Sequence, residues 1–256
     1  MTNFNLENKK AIIFGIANEQ SVAWGIAKLL NENGVQIIAG YQERNEETAQ
    51  KLISSLDGCS GIKCDVTNDS DLDDFFQIVQ KEFGTIDFLI HSIAFAKKQF
   101  LTGKFFEVDR AGYQTSQAVS AYSLVELTKR AYSLMNEEGS IIAMTYLGST
   151  RVSPGYNVMG VCKASLEASV RYLANDVGNK QIRVNAISFG PIKTLAASGI
   201  TGFEEKHKKQ AELTPLKRNI TSEDVANLSL FLCSNLSKNI TGQTIFVDAG
   251  FNIMTN

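Results

Sequence analysis

Short apolar runs alternate with longer amphipathic ones along this whole chain, about seven times over. The runs are Lys10–Gly15, Val35–Tyr41, residues 61–65, Ile86–Ile90, Gly139–Thr145, Ile182–Ser188 and Thr244–Asp248. Each is bounded by Gly, Asn, Asp or a helix-like stretch, which predicts buried strands. Between them the pattern predicts helices over 22–33, 45–56, 70–83, 110–134, Asn157–Val177, 203–212 and 222–234. Ser21 stands at the first start and Gly34 beyond the first stop, as an N-cap and a C-terminal glycine would. Parallel strands need helical crossovers, so the alternation predicts an α/β fold: a doubly wound, about seven-stranded parallel sheet flanked by helices. No proline-rich, Ser/Gly-rich or single-sign stretch divides the 256 residues, and only 3 prolines occur. The expectation is one Rossmann-like dinucleotide-binding domain over 1–256.

Composition narrows the function. Lysine plus arginine number 25 and aspartate plus glutamate 27, interspersed, with a net charge of -2. That balance carries no basic footprint for nucleic acid. The four cysteines (Cys59, Cys64, Cys162, Cys233) fit no zinc or redox spacing, and there are two histidines, so no metal is expected. They read as packed free thiols of a reducing compartment. Residues 1–10 lack an apolar signal core, and no run nears the ~20 apolar residues that span a bilayer. The expected location is cytoplasmic, without membrane insertion.

The ends of the predicted strands carry the residues suited to a ligand, the edge where such sheets bind one. Gly15 permits a sharp turn after the first strand, and Ser21 and Val22 open the first helix, whose free amides suit a pyrophosphate. The segment is not Gly-x-Gly-x-x-Gly, and alone it reads equally as a structural turn. After the second strand, Gln42 can bond ribose hydroxyls, Glu43 repels a 2′-phosphate and Arg44 attracts one. The balance favours NADH over NADPH. Asp65 and Val66 follow the third strand, where Asp65 can accept from an adenine amino group or cap the next helix. Ile93 and Ala96 follow the fourth, and Ile192, Lys193, Thr194, Leu195 and Ala196 the sixth.

Tyr156 and Lys163 complete the pattern. If that stretch is helical, seven residues are close to two turns, and both side chains project from one face. A phenol there can polarise a carbonyl oxygen while an ammonium holds a cofactor sugar. A lone Tyr-x6-Lys is more often structural; its place after the fifth strand, among the other segments, gives it weight.

The chain resembles a known family in Gly15-x5-Ser21, Cys64-Asp65-Val66, His91-Ser-Ile-Ala-Phe-Ala96, Tyr156-x6-Lys163 and Arg183-Val-Asn-Ala-Ile-Ser-x-Gly-Pro-Ile-x-Thr194. These span nearly the whole chain and look like the NADH-linked bacterial enoyl-acyl-carrier-protein reductases of the short-chain dehydrogenase/reductase superfamily. Ordinary members of that superfamily carry Ser…Tyr-x3-Lys; the longer spacing, with Tyr146 in place of the serine, marks the enoyl reductases. The resemblance implies a homotetramer that reduces trans-2-enoyl thioesters on an acyl carrier protein in fatty acid synthesis. It implies Tyr146, Tyr156 and Lys163 as catalytic residues. It puts Gly15, Ser21, Val22, Gln42, Asp65, Val66, Ile93, Lys163 and Ile192 to Ala196 at the cofactor, and Ala96 at the substrate.

Residues 193–212 read as a helical substrate-binding lid, in which Ala197, Ile200 and Phe203, with Met159, line an acyl pocket; the alternative is plain core packing. Lys206-His207-Lys208-Lys209 is either a docking patch for an acidic carrier or a solvated helix face. Glu204 and Glu205 stand where the family often has basic residues. His91 reads as a packed, hydrogen-bonded residue and His207 as exposed. Two other functions remain open: another short-chain enzyme, such as a 3-ketoacyl reductase, and a non-catalytic dinucleotide-binding protein. The first predicts C=O rather than C=C reduction, the second binding without turnover.

Overall fold

In the computed structural model, which describes residues 4–194 and 203–255 without the side chains of Phe203, Glu204 and Lys206, one sheet organises the chain. Its strands are β1 (Lys10–Phe14), β2 (Gln36–Tyr41), β3 (Ser60–Lys63), β4 (Ile86–His91), β5 (Met135–Thr145), β6 (Arg183–Phe189) and β7 (Thr244–Val247). They lie in the order β3-β2-β1-β4-β5-β6-β7 and every neighbouring pair is parallel. The chain starts at the centre, steps outward through β2 and β3, returns to β4 and continues the other way. This doubly wound order splits the crossovers between β1 and β4 and opens a crevice at the strands' carboxyl ends.

The helices are α1 (Val22–Glu32), α2 (Glu46–Ile53), α3 (Asp69–Phe83), α4 (Arg110–Gln117), α5 (Ser123–Ala131), α6 (Val158–Val177), α7 (Phe203–Leu213) and α8 (Ser222–Cys233). Strand residues alternate between faces with period two. Ile13, Ile37, Ile90 and Ile142 pack with Ile26 of α1 and Val225 of α8. Ile12, Ile38, Leu89 and Ile141 pack on the opposite face with Phe75 of α3, Leu124 of α5 and Leu166 of α6. Both faces are covered, which is why Ala11–Phe14 of β1 and Phe88–Ile90 of β4 are apolar at every position. Each such buried side chain stabilises the fold by roughly 1.5–3 kcal/mol relative to exposure.

Three local expectations change. The single helix over 110–134 is two helices joined by a π-helical turn at Ala118–Tyr122. Ser21 precedes α1 but makes no side-chain cap bond; its hydroxyl turns back to accept from the amides of Ala17 and Asn18 at 3.1 and 3.0 Å. Asp65 does not cap α3. Asn68 does, accepting from the amides of Ser70 and Asp71, while Asp65 accepts from the amide and hydroxyl of Thr67.

The four thiols are free; Cys64, Cys162 and Cys233 are buried and Cys59 half-buried. Burial pushes all four up, Cys64 and Cys233 to about 12 and Cys162 to about 11. Inert packed thiols result. Among the described residues no helix is long and apolar enough to cross a membrane, and no cluster of acidic, His or Cys side chains suits a metal.

Candidate active site

A cavity of about 600 Å³ opens where β1, β2, β4, β5 and β6 end. Its first wall is made by backbone. Gly15 has φ +115°, and a Cβ there would fall 2.1 Å from the carbonyl oxygen of Ser92. Only glycine lets the turn after β1 approach the loop after β4 so closely. Beyond this turn α1 begins with no acidic residue in its first turn and no side-chain cap. Its leading amides, beside Ser21 and Val22 in the cavity wall, are left for an anion.

The end of β2 differs from a literal reading of Gln42-Glu43-Arg44. Gln42, Arg44 and Asn45 line the cavity, whereas Glu43 turns to Lys63 at 3.4 Å and is absent from the wall. The Arg44 guanidinium lies 5.9 Å from the Phe95 ring centre. Val66 and its neighbour Cys64 are in the wall, and Ile93, Ile192 and Thr194 join them. Asp65 and Lys193 are exposed and outside it. Leu195, Ala196, Ala197 and Ile200 fall outside the described residues, as does the Phe203 side chain.

The opposite wall is made of side chains. Tyr156 lies in the turn before α6, not on the helix as the spacing argument supposed, and Asn157 takes φ +35° to start the helix after it. The turn still brings Tyr156 and Lys163 to the same cavity, with Tyr146 from the end of β5. The two tyrosine rings meet edge-to-face, 4.9 Å apart at 68°. Gly148 makes room for both: a Cβ there would lie 2.7 Å from the Tyr156 ring and 3.1 Å from that of Tyr146. Ala96 and Met159 line the same end.

Lys163 is buried, and its ammonium donates to the Met144 carbonyl at 2.7 Å. Burial lowers it to about 8, against the smaller opposing effects of Cys162 and Glu167. Tyr156 opens onto the cavity and keeps some exposed surface, but its burial among protein atoms, with Tyr146 and Cys162 adding, pushes the phenol well above its usual range. That shift favours the protonated hydroxyl, which can donate a hydrogen bond.

Sequence periodicity missed the π-helical turn beside this wall. Val119 from it lines the cavity, and the Ser120 hydroxyl accepts from the Phe95 amide at 2.9 Å. An extra residue in a helical turn re-aims side chains without disturbing the apolar pattern. The missed signal is the serine row Ser116, Ser120 and Ser123, whose hydroxyls bond backbone. His91 is a packed histidine, bonded through Nε2 to Ser123 at 2.7 Å and held neutral by burial, its pKa lowered to about 3. His207 is half-buried rather than exposed, since Asn219 bonds its ring and its carbonyl.

A family model described as enoyl-(acyl carrier protein) reductase matches residues 15–252, which takes in every strand end around the cavity. The chain belongs to this family. An NADH-linked enoyl-acyl-carrier-protein reductase of Rickettsia prowazekii is 46% identical over 255 residues, 99% of this chain and 98% of that protein. The Bacillus subtilis protein of the same name is 45% identical over 254 residues, covering 98% of each. The crystal structure of the Bacillus cereus enoyl-acyl carrier protein reductase, with NADP+ and indole naphthyridinone, matches at a TM-score of 0.96 and 44% identity, covering 98% of this chain and 99% of that one. An Anaplasma phagocytophilum reductase solved with NAD matches at 0.94 and 41%, covering 98% and 96%. In this family frame, the long Tyr–Lys spacing and the tyrosine at 146 are features of the chain's own cavity.

Proposed function

We propose that this protein reduces the carbon–carbon double bond of trans-2-enoyl thioesters carried on an acyl carrier protein, with NADH as hydride donor. The observation that carries the reading is the meeting of Tyr146, Tyr156 and Lys163 with the Gly15–Val22 turn in one cavity. The uncapped start of α1 and the close turn at Gly15 fit a pyrophosphate, and Gln42 fits the ribose. Bound there, the dinucleotide supplies a hydride to the β carbon of the enoyl group.

The chain's own residues handle the charge that follows. As the β carbon gains its hydrogen, electron density moves to the thioester oxygen and an enolate forms. Tyr156, whose burial favours the protonated phenol, donates a hydrogen bond to that oxygen, and the bond strengthens as the charge grows. Lys163 holds ribose hydroxyls and adds positive potential beside the oxyanion. Tyr146, edge-on to Tyr156, fixes the phenol's direction and borders the thioester. Ala96 and Met159 receive the first carbons of the acyl chain. Protonation of the α carbon completes the saturation.

Val66, Ile93, Ile192 and Thr194 serve the cofactor in this reading; Asp65 stands outside the cavity wall, bonded to Thr67. The protein works in the cytoplasm as a homotetramer; exposed Tyr122, Tyr172 and Phe246 offer apolar anchors for subunit contacts. Steady-state assays on paired crotonyl and acetoacetyl thioesters test the activity. NADH oxidation with the crotonyl substrate alone is the expected result; turnover of the acetoacetyl substrate alone would make it a ketoacyl reductase.

A further inference from the structure

A carrier-borne chain must enter the cavity while the carrier rests on its rim. We propose that residues 97–106 form the docking surface for an acidic acyl carrier, with Lys97, Lys98 and Lys104 meeting its anionic groups and Phe105 and Phe106 its apolar ones. This rests on the activity proposed above. Phe106 is 78% exposed and Phe105 45%, adjacent on a short 3-10 turn, whereas Phe14, Phe75, Phe76, Phe88 and Phe100 are buried. Exposed neighbouring aromatics mark contact surfaces. Lys104 extends over the Phe106 ring, 5.4 Å from its centre. Lys97 and Lys98 are exposed and form no ion pair with any described residue.

Residues 97–106 carry three lysines and no acidic residue; the nearest acids that follow are Glu107 and Asp109. Glu107 accepts from the Lys104 amide at 3.2 Å, and Asp109 from the Gly112 amide at 2.6 Å. Both carboxylates are directed at backbone donors. The segment's inner side belongs to the active site. Ala96 and Leu101 line the cavity, and Phe100 is buried against Met159. Asn157, next to Tyr156, donates to the carbonyls of Thr102 and Gly103 at 3.2 and 3.1 Å. The exposed lysines and phenylalanines therefore sit on a loop bonded to the turn that holds the reacting phenol.

The alternative patch on α7 is weaker. Its Lys206, Lys208 and Lys209 are matched by Glu204, Glu205 and Glu212, and Lys209 is bound to Glu205 at 2.8 Å. An acidic partner is repelled there as much as attracted. On 97–106 the partner's carboxylates, and the phosphodiester of its prosthetic arm, meet unopposed ammonium groups beside the cavity.

The test uses the full-length protein and two substrates: crotonyl-carrier protein and crotonyl-N-acetylcysteamine, which lacks both the carrier and the phosphate. The variants are the double change Lys97→Glu/Lys98→Glu, the single change Phe106→Ser, and Lys208→Glu/Lys209→Glu as comparison. The double change is expected to raise KM for the carrier substrate about tenfold and flatten its salt dependence, with kcat and the small thioester's kinetics within about twofold. Phe106→Ser should raise the same KM about threefold or more. Equal losses on both substrates, no change on either, or a carrier effect confined to the α7 variant would each overturn the proposal. So would loss of binding to anionic vesicles with the carrier KM intact, which would assign the loop to a lipid surface. Absence of wild-type turnover on both substrates removes the activity and this surface together; turnover with unaltered KM removes the surface alone.

Discussion

The two walls of the cavity are built from different material. The wall proposed for the cofactor is backbone: a glycine at φ +115° pressed against the Ser92 carbonyl, and a helix start whose amides no side chain caps. The wall proposed for the chemistry is side chain: two tyrosines edge-to-face over Gly148, and a lysine buried against the Met144 carbonyl. Backbone grips a cofactor in its ground state, and it tolerates little change of geometry. Side chains act on charge that exists only during reaction, and one atom of them decides the rate. The halves should therefore fail differently: changes in the first cost binding and stability, changes in the second cost turnover.

The largest expected effect separates them most sharply. Tyr156→Phe should lower kcat/KM by about 10²- to 10³-fold, the usual loss of an oxyanion donor. Its dissociation constant for NADH, read by fluorescence titration, should stay within about twofold; an equal loss of cofactor affinity would merge the two walls. Next, Gly15→Ala should destabilise the fold by about 2–3 kcal/mol, since the new Cβ meets Ser92 in a strained conformation. Thermal denaturation and NADH titration should both show it, while turnover at saturating NADH stays near wild type.

Lys163 joins the walls, and pH addresses it. Burial lowers it to about 8. Below that pH the ammonium is present; as pH rises through it the charge is lost, so kcat/KM should fall by up to about tenfold per unit. Tyr156 is raised, so no second limb from its ionisation should appear in the ordinary range. Lys163→Arg, which stays protonated, should lose the alkaline limb whatever its absolute rate. The smallest effect belongs to Ser120→Ala. Removing the hydroxyl that accepts from the Phe95 amide should cost about 1 kcal/mol, a few degrees in Tm, with under threefold change in kcat.

What the sequence made legible follows the same division. The strands were readable because both faces of the sheet are covered, which makes Ala11–Phe14 of β1 and Phe88–Ile90 of β4 apolar at every position. That Gly15, Gln42 and Ile93 would line one cavity was readable because strand ends in such a sheet converge on one edge. The π-helical turn was hidden, since an added residue between Gln117 and Ser123 leaves the helical apolar stripe almost intact. Gly148 was hidden because its need for space comes from Tyr146 and Tyr156, which close on it only in the folded chain. The orientation of Glu43 toward Lys63 depends on β2 and β3 lying side by side, a pairing that the Gln42-Glu43-Arg44 triplet does not contain.

The most direct test of the central claim follows the hydride itself. NADH deuterated at the transferred position should be incubated with a crotonyl thioester, and the product examined by NMR and mass spectrometry. The account predicts a butyryl thioester with one deuterium on the β carbon, made at a rate that Tyr156→Phe lowers by about two orders of magnitude or more. Deuterium found on the α carbon, or a hydroxyacyl product formed from a ketoacyl thioester with the crotonyl substrate untouched, would contradict it.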